Sequence, residues 1–501
     1  MKVAEAIAKA LAGRGVETFF GLVGSGNFAV VNALRDAGAE FYSSRHECSA
    51  VSMADGYARA SGKVGVASVH QGPGFTNTLT GLTEAAKSRT PLVLLAADTP
   101  PGTLWSNFKV DQASFAATAG AIPENIRSPE TAAEDTIRAL RRARTERRPV
   151  VLSIPIDLVD LDAPEDPTLP TGPPNLEPPR PSKRSVAEVA DLLAAGERPV
   201  ILAGRGAALA GGREALEDLG GRIGALLATS AVGNGLFAGN PYDLGIAGGF
   251  SSPFAVEMMQ RADVVLAFGA SLNRWTTRHG NLFPQGARVA QVDLDEEVIG
   301  ALYSVDVGIV GDAAATAWDI SSELERRGVD KRGFRSERLA RELSERRWRD
   351  EPYEDEGTDE HIDPRTLSIA LDDLLPEERT VATDSGHFMG YPAMYLPAPD
   401  ERGFVFTQAF QSVGLGLASG IGAAVARPDR LTVIATGDGG ALMALGEIET
   451  AARHKLPLVI VVYNDAAYGA EVHHFGPMDR AVDLAQFPDT DFAAIARAAG
   501  A

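Results

Sequence analysis

The chain has 501 residues, 45% of them hydrophobic, a formal net charge of −20 and one cysteine, Cys48. That length exceeds a single core and suggests about three domains, and the acidic balance argues against a nucleic-acid partner, which would need a basic stripe. No apolar run is long enough to span a bilayer. Met1 to Leu11 read as an amphipathic helix with an acidic residue, unlike a secretory leader. A lone cysteine excludes an intrachain disulfide and fits a reducing cytosol, so a soluble cytoplasmic protein with no membrane partner is expected.

Residues 1–162 alternate short apolar strands with helical patterns. Thr18 to Gly21 precedes a helix from about Asn27, and Phe41 to Ser44 precedes another from about Glu47. Val64 to Val69 leads through Gly72-Pro73-Gly74 into a helix ending near Lys87, and Pro91 to Ala97 is again a strand. Such alternation predicts a parallel sheet covered on both faces. Residues 163–182 hold eight prolines in twenty positions, a stiff extended linker. A second α/β block, 183–330, has strands at Pro199 to Ala203, Asp263 to Gly269 and Arg288 to Asp293. Gly204-Arg205-Gly206 lacks the full dinucleotide spacing and reads as a strand-to-helix turn. Residues 331–360 are charged, with seven acids among the eleven residues 350–360, and read as a solvated helix end and linker. The third block, 361–501, is again α/β. The fold class expected is therefore α/β, with three doubly wound parallel-sheet domains.

The third block carries the chemistry. Leu431 to Thr436 is a short strand ending in Gly437-Asp438-Gly439-Gly440; apolar residues at helical spacing follow to about His454, and Pro457 to Tyr463 is a second buried strand. Strand, helix, strand of this length is a parallel βαβ unit with a right-handed crossover. If the two strands are neighbours, Asp438 and Asp465, 27 residues apart, share the carboxyl edge where open α/β sheets bind ligands. Two carboxylates facing one crevice repel unless a cation joins them, and a hard cation would take phosphate oxygens next. Taken alone, the glycine turn is also compatible with an ordinary strand-to-helix connection.

The turn together with Asn464-Asp465 on the next strand resembles the signature of thiamine diphosphate enzymes. The resemblance implies that Asp438, Asp465 and the backbone carbonyl of Ala467 hold magnesium, which holds the diphosphate, with Gly437, Gly439, Gly440, Asn464 and Tyr468 around it. Arg45-His46-Glu47 followed by Ala54-Asp55-Gly56-Tyr57-Ala58-Arg59 matches a second signature of the same superfamily. Glu47 alone is a helix-start glutamate favoured by the helix dipole; in this frame it implies the carboxyl that bonds the aminopyrimidine and relays a proton. The segment from Val69 to Asn77 fits the turn of acetolactate synthase-like enzymes. His70 and Ser25 stand where benzoylformate decarboxylase has an active-site histidine and serine, which implies acid/base roles. Lys109 replaces a glutamine of the synthases, a departure from ordinary acetolactate synthesis.

Phe410 to Gly416 fits the family segment in which Val413 bends the cofactor into a V and the Gln411 carbonyl accepts from its amino group. His387 lies at a strand end where relatives contact the diphosphate. Glu471 occupies the place of a catalytic glutamate in pyruvate decarboxylase-like enzymes, and His474 that of a substrate-contacting residue in benzoylformate decarboxylase. His473 and His474 are neighbours on a helix and point apart, against a metal site between them.

The chain is thus similar to an acetolactate synthase-type enzyme with pyrimidine-binding, central and diphosphate-binding domains. Members of that family continue with a strand and a helix beyond the last residues here, which implies that the third domain lacks its C-terminal end. The resemblance implies decarboxylation of a 2-oxo acid followed by carboligation to a carbonyl acceptor, with thiamine diphosphate and Mg²⁺, in a homodimer or homotetramer. The alternatives are a non-ligating decarboxylase of benzoylformate decarboxylase type and a non-catalytic cofactor-binding paralogue. Ser271 to Thr277 does not match the flavin-contacting segment of the synthases, so no FAD is expected.

Overall fold

A computed structural model of the chain describes residues 1–165 and 177–501. These fall into two compact units, one from residues 1–165, 380–389 and 405–501, the other from residues 177–379 and 390–404. Residues 166–176 of the proline-rich stretch lie outside the described residues. No helix among the described residues is long and apolar enough to cross a membrane.

In the first unit the N-terminal sheet comprises β1 (Thr18–Gly21), β2 (Glu40–Ser43), β3 (Gly65–Val69), β4 (Leu92–Asp98), β5 (Ile122–Asn125) and β6 (Pro149–Pro155). Its order is β2-β1-β3-β4-β6-β5, and every pairing is parallel. All residues of β3 and β6 are buried, as a parallel sheet with helices on both faces requires.

The second unit carries the central sheet: β7 (Pro199–Ala203), β8 (Leu226–Thr229), β9 (Asp243–Ile246), β10 (Val264–Phe268), β11 (Arg288–Asp293) and β12 (Val307–Val310). Its order, β12-β11-β10-β7-β8-β9, is doubly wound about β7 and β10. β7 runs through Gly204 directly into the helix Arg205–Leu209, and the Gly206 N–H bonds the Gly269 carbonyl at 2.9 Å, so this turn serves contact between backbones. Within the charged stretch 331–360, the helix Glu337–Glu345 seats Leu339 in the core beside β7 and β10. The Trp348 indole donates to the Phe250 carbonyl at 2.7 Å, and Arg349 pairs with Asp372 and Asp373.

The C-terminal sheet returns to the first unit with β13 (Arg379–Thr383), β14 (Phe404–Phe406), β15 (Leu431–Gly437) and β16 (Leu458–Tyr463). Its order, β14-β13-β15-β16, repeats that of the first four strands of the N-terminal sheet. The helices Glu47–Ser61 and Gly416–Ala426 join the two sheets face to face. Their backbones meet at Gly56, where a Cβ would overlap the Ser419 carbonyl. Around that crossing Val51, Met53, Phe75 and Leu82 share one core with Leu417, Ile421, Ile434 and Ile448. Each such side chain contributes about 1.5–3 kcal/mol by leaving water.

One expectation is corrected. The single helix expected from Gly440 to His454 is two, Asp438–Met443 and Gly446–Arg453. Gly446, a poor helix former, lies at the break and leaves room for the Arg45 side chain against it. The break lets Ala444, Ile448 and Ala451 all reach the shared core.

Candidate active site

The expected site residues gather in two clusters, both in the first unit and both at carboxyl ends of strands. In the N-terminal sheet, Ser44 follows β2 and its hydroxyl donates to the Gly21 carbonyl at 3.2 Å and to that of His46 at 2.9 Å, fixing the entry to the helix Glu47–Ser61. Half-buried Glu47 opens that helix and accepts from the Asn77 amide at 3.0 Å. His70, half-buried just past β3, accepts the Gly26 N–H on Nδ1 at 3.0 Å and meets Phe108 edge-on at 5.0 Å. Burial lowers the pKa of the imidazole, against the nearby Glu47 charge, which raises it. A neutral ring accepting on Nδ1 carries its proton on Nε2. The loop holding exposed Ser25 is shaped by Asn27, which accepts from the Gly24 N–H at 2.8 Å and donates to Ser68 at 3.1 Å. Lys109 is exposed and donates to the Thr103 carbonyl at 3.0 Å.

In the C-terminal sheet β15 and β16 are parallel neighbours with Gly437 opposite Tyr463, so Asp438 and the Asn464-Asp465 pair emerge side by side. Asp438 is 3% exposed, and its Oδ2 is buried with no hydrogen-bond partner among the described residues. Burial raises the pKa of this carboxyl, and the Asp465 charge raises it further. Asp465 is exposed and accepts from the Ala467 N–H at 3.2 Å. Asn464 donates to Asp489 at 2.5 Å and accepts from the Ala466 N–H at 3.1 Å, bracing the loop. Tyr468 lies against Gly439. Gln411 adopts φ +62°, rare for a residue with a Cβ, and its carbonyl accepts from Ser385 at 3.4 Å. Val413, two residues on, is half-buried.

The helix Gly469–Phe475 separates the two histidines. His473 stacks on His387 at 4.1 Å, whereas exposed His474 meets Phe475 edge-on at 4.7 Å. Glu471 is exposed in the first turn. Among the described residues no group of three His, Cys, Asp or Glu side chains is placed to hold a metal. Sequence reasoning passed over Asp384. Fully buried at the end of β13, it accepts from the Ser385, Gly414 and Leu415 N–H groups, and a Cβ on Gly440 would overlap it. An aspartate ending a strand next to a known motif was the available signal.

Three family models match in chain order: the N-terminal TPP binding domain of thiamine pyrophosphate enzymes at residues 1–113, their central domain at 186–320 and their C-terminal TPP binding domain at 384–501. The chain belongs to the thiamine pyrophosphate enzymes. Both clusters of this thiamine pyrophosphate enzyme fall inside the matched TPP binding domains. Among its relatives, a sulfoacetaldehyde acetyltransferase of Castellaniella defragrans is 31% identical over 100% of this chain and 87% of its own length. A probable acetolactate synthase large subunit of Methanococcus aeolicus is 29% identical over 94% and 81% of the two chains. A probable 2-ketoarginine decarboxylase of Pseudomonas aeruginosa is 32% identical over 93% and 82%. The enzyme is of the acetolactate synthase-like kind.

Proposed function

We propose that this enzyme uses thiamine diphosphate and Mg²⁺ to decarboxylate a 2-oxo acid and join the remaining acyl unit to a carbonyl acceptor. The observation that carries the reading is the buried, unpartnered Oδ2 of Asp438 beside a second carboxylate, in a chain that also keeps Glu47. The residues fit the group: a buried oxygen without a donor and two carboxylates raising each other's cost are relieved by a hard cation. Asp438, Asp465 and the Ala467 carbonyl would hold it. With two side-chain ligands, the ion would complete its shell from backbone, water and phosphate oxygens.

The bound cofactor supplies a sink for the electron pair released when a 2-oxo acid loses carbon dioxide. Val413 and the Gln411 carbonyl would shape its seat, the Gly437–Gly440 turn, Asn464, Tyr468 and His387 would hold the diphosphate end, and Glu47 would hold and relay the proton of its aminopyrimidine. Asn77 orients the Glu47 carboxyl. His70, its Nδ1 occupied by the Gly26 N–H, offers Nε2–H as a donor to a substrate oxygen, with Ser25 close by in sequence to Gly26. Glu471 and His474, exposed on the helix Gly469–Phe475, would offer polar groups suited to a polar substrate. No FAD takes part, and a homodimer or homotetramer in the cytoplasm is the working assembly.

A second reading, a decarboxylase that protonates its product to an aldehyde, is favoured by the His70 donor and by the 32% likeness to the probable 2-ketoarginine decarboxylase. The test is to mix the purified protein, thiamine diphosphate and Mg²⁺ with a panel of 2-oxo acids and with sulfoacetaldehyde, the substrate for which the 31% relative is named. Carbon dioxide with a ligated product supports the first reading, and carbon dioxide with free aldehyde supports the second. No turnover on any member, with cofactor bound, would favour a non-catalytic cofactor-binding protein.

A further inference from the structure

Two buried glutamates outside both clusters join the N-terminal and C-terminal sheets in mirrored fashion. Glu84, 2% exposed, lies on the helix Leu79–Lys87, the crossover from β3 to β4. It accepts the Ala409 N–H at 3.3 Å and the Phe410 N–H at 2.6 Å, in the loop that follows β14. Arg59, buried beside it, pairs with Glu84 at 2.9 Å and donates to the Phe406 carbonyl at the end of β14 at 2.8 Å. Glu447, 1% exposed, lies on the helix Gly446–Arg453, the crossover from β15 to β16. It accepts the Arg45 N–H at 3.0 Å, in the loop that follows β2, and its other oxygen accepts from Thr450 at 2.8 Å.

The two sheets share one strand order over their first four strands, so these positions correspond. In each half, a carboxylate on the crossover between the third and fourth strands holds backbone N–H groups of the loop after the other half's second strand. One of those loops runs through Phe410 to Gln411 and Val413. The other runs through Arg45 to Glu47. Glu84 also neutralises the buried Arg59, and neither glutamate belongs to the two clusters of expected site residues. A buried carboxylate that accepts backbone N–H groups fixes them more strongly than a neutral acceptor does.

We infer that Glu84 and Glu447 are positioning residues of opposite assignment, Glu84 setting the seat of the cofactor at Gln411 and Val413 and Glu447 setting the proton relay at Glu47. The inference rests on the cofactor reading above. Glu84→Gln keeps a single accepting oxygen, which can serve the Phe410 N–H or the Arg59 and Ser88 donors but not both. Glu447→Ala removes the Arg45 acceptor, whereas Gln would keep its oxygen on Arg45 and turn its NH₂ to Thr450.

The full chain is tested by three measurements: calorimetric affinity for thiamine diphosphate with Mg²⁺, hydrogen–deuterium exchange at C2 of the bound cofactor by quenched NMR, and amide exchange of peptides 405–413 and 41–47 by mass spectrometry. Glu84→Gln is expected to weaken cofactor affinity about tenfold or more, to speed exchange of peptide 405–413 and to leave C2 exchange of the bound fraction within about twofold of wild type. Glu447→Ala is expected to keep affinity within about twofold, to slow C2 exchange about tenfold or more and to loosen peptide 41–47. Should either variant fail to fold, Ser88→Ala and Thr450→Ala remove the hydroxyl that orients each carboxylate, together with its bond from Arg59 or Arg453, and the same split is expected at about two- to threefold. Both variants moving affinity and C2 exchange in parallel, or neither loosening its own loop, would overturn the inference. Failure of the wild type to bind thiamine diphosphate would instead overturn the cofactor reading, and the amide exchange of the unliganded chain would still decide whether each glutamate holds its own loop.

Discussion

Both carboxylate oxygens of Asp384 accept the N–H of Gly414, at 3.1 and 3.0 Å, and Oδ1 also takes the N–H groups of Leu415 and Ser385. The loop that offers Gln411 and Val413 is therefore anchored on its C-terminal side by one fully buried side chain. Asp384→Ala leaves three backbone donors without that acceptor, each at a cost of about 1–3 kcal/mol where water cannot reach. The melting temperature of the full chain should fall by several degrees in scanning calorimetry, and thiamine diphosphate affinity should fall with it. An unchanged melting temperature would mean that water or backbone replaces the carboxylate.

Asp438→Asn is expected to separate binding from stability. It keeps the side chain's shape and an acceptor oxygen, but removes a charge that burial and Asp465 both disfavour. A carboxyl whose folded pKa is raised stabilises the fold only below its unfolded pKa, and that contribution is lost as pH rises through the folded value. The unliganded variant should therefore melt at or above the wild-type temperature at pH 8, while titration calorimetry finds no binding of thiamine diphosphate with Mg²⁺. Wild-type cofactor affinity in the variant would remove Asp438 from the metal site.

Glu47→Gln retains a partner for Asn77 but no titratable proton. Cofactor affinity should survive, while exchange at C2 of the bound cofactor slows by about 10²–10⁴-fold, the usual scale of general acid/base catalysis. Exchange as fast as wild type would leave Glu47 as a helix-start residue favoured only by the dipole.

Away from the site, burial pushes the Asp243 carboxyl up to about 6, against the opposing Gly245 N–H and the Arg213 charge. The folded value lies above the ordinary range near 4. Its contribution to stability is thus complete below about pH 4 and is lost as pH rises through about 6. Asp243→Asn should match wild type near pH 4 and be the more stable protein at pH 8, by on the order of 1–3 kcal/mol, in chemical denaturation followed at both pH values. Equal stability at pH 8 would mean that this half-exposed residue keeps its carboxyl hydrated in the folded chain.

The linear order of residues already determined the alternating α/β architecture, the neighbouring strands that deliver Asp438 and Asp465, and the helix that begins at Glu47. Those signals are local: a two-residue period in strands, a 3.6-residue period in helices, and glycines where a strand turns into a helix. Tertiary structure decided the rest. The helix after Asp438 breaks because the Arg45 side chain rests against Gly446 and three apolar residues must reach one core, and Arg45 lies 401 positions earlier in the chain. His473 rather than His474 meets His387 because adjacent residues on a helix point apart and only the docked helix settles which one lies against that ring. Glu84 and Glu447 have no sequence signature of their own, and the strand-end position of Asp384 does not say which loop it holds. Each acts by accepting backbone N–H groups, which every non-proline residue carries, so only the fold determines which loop each one holds.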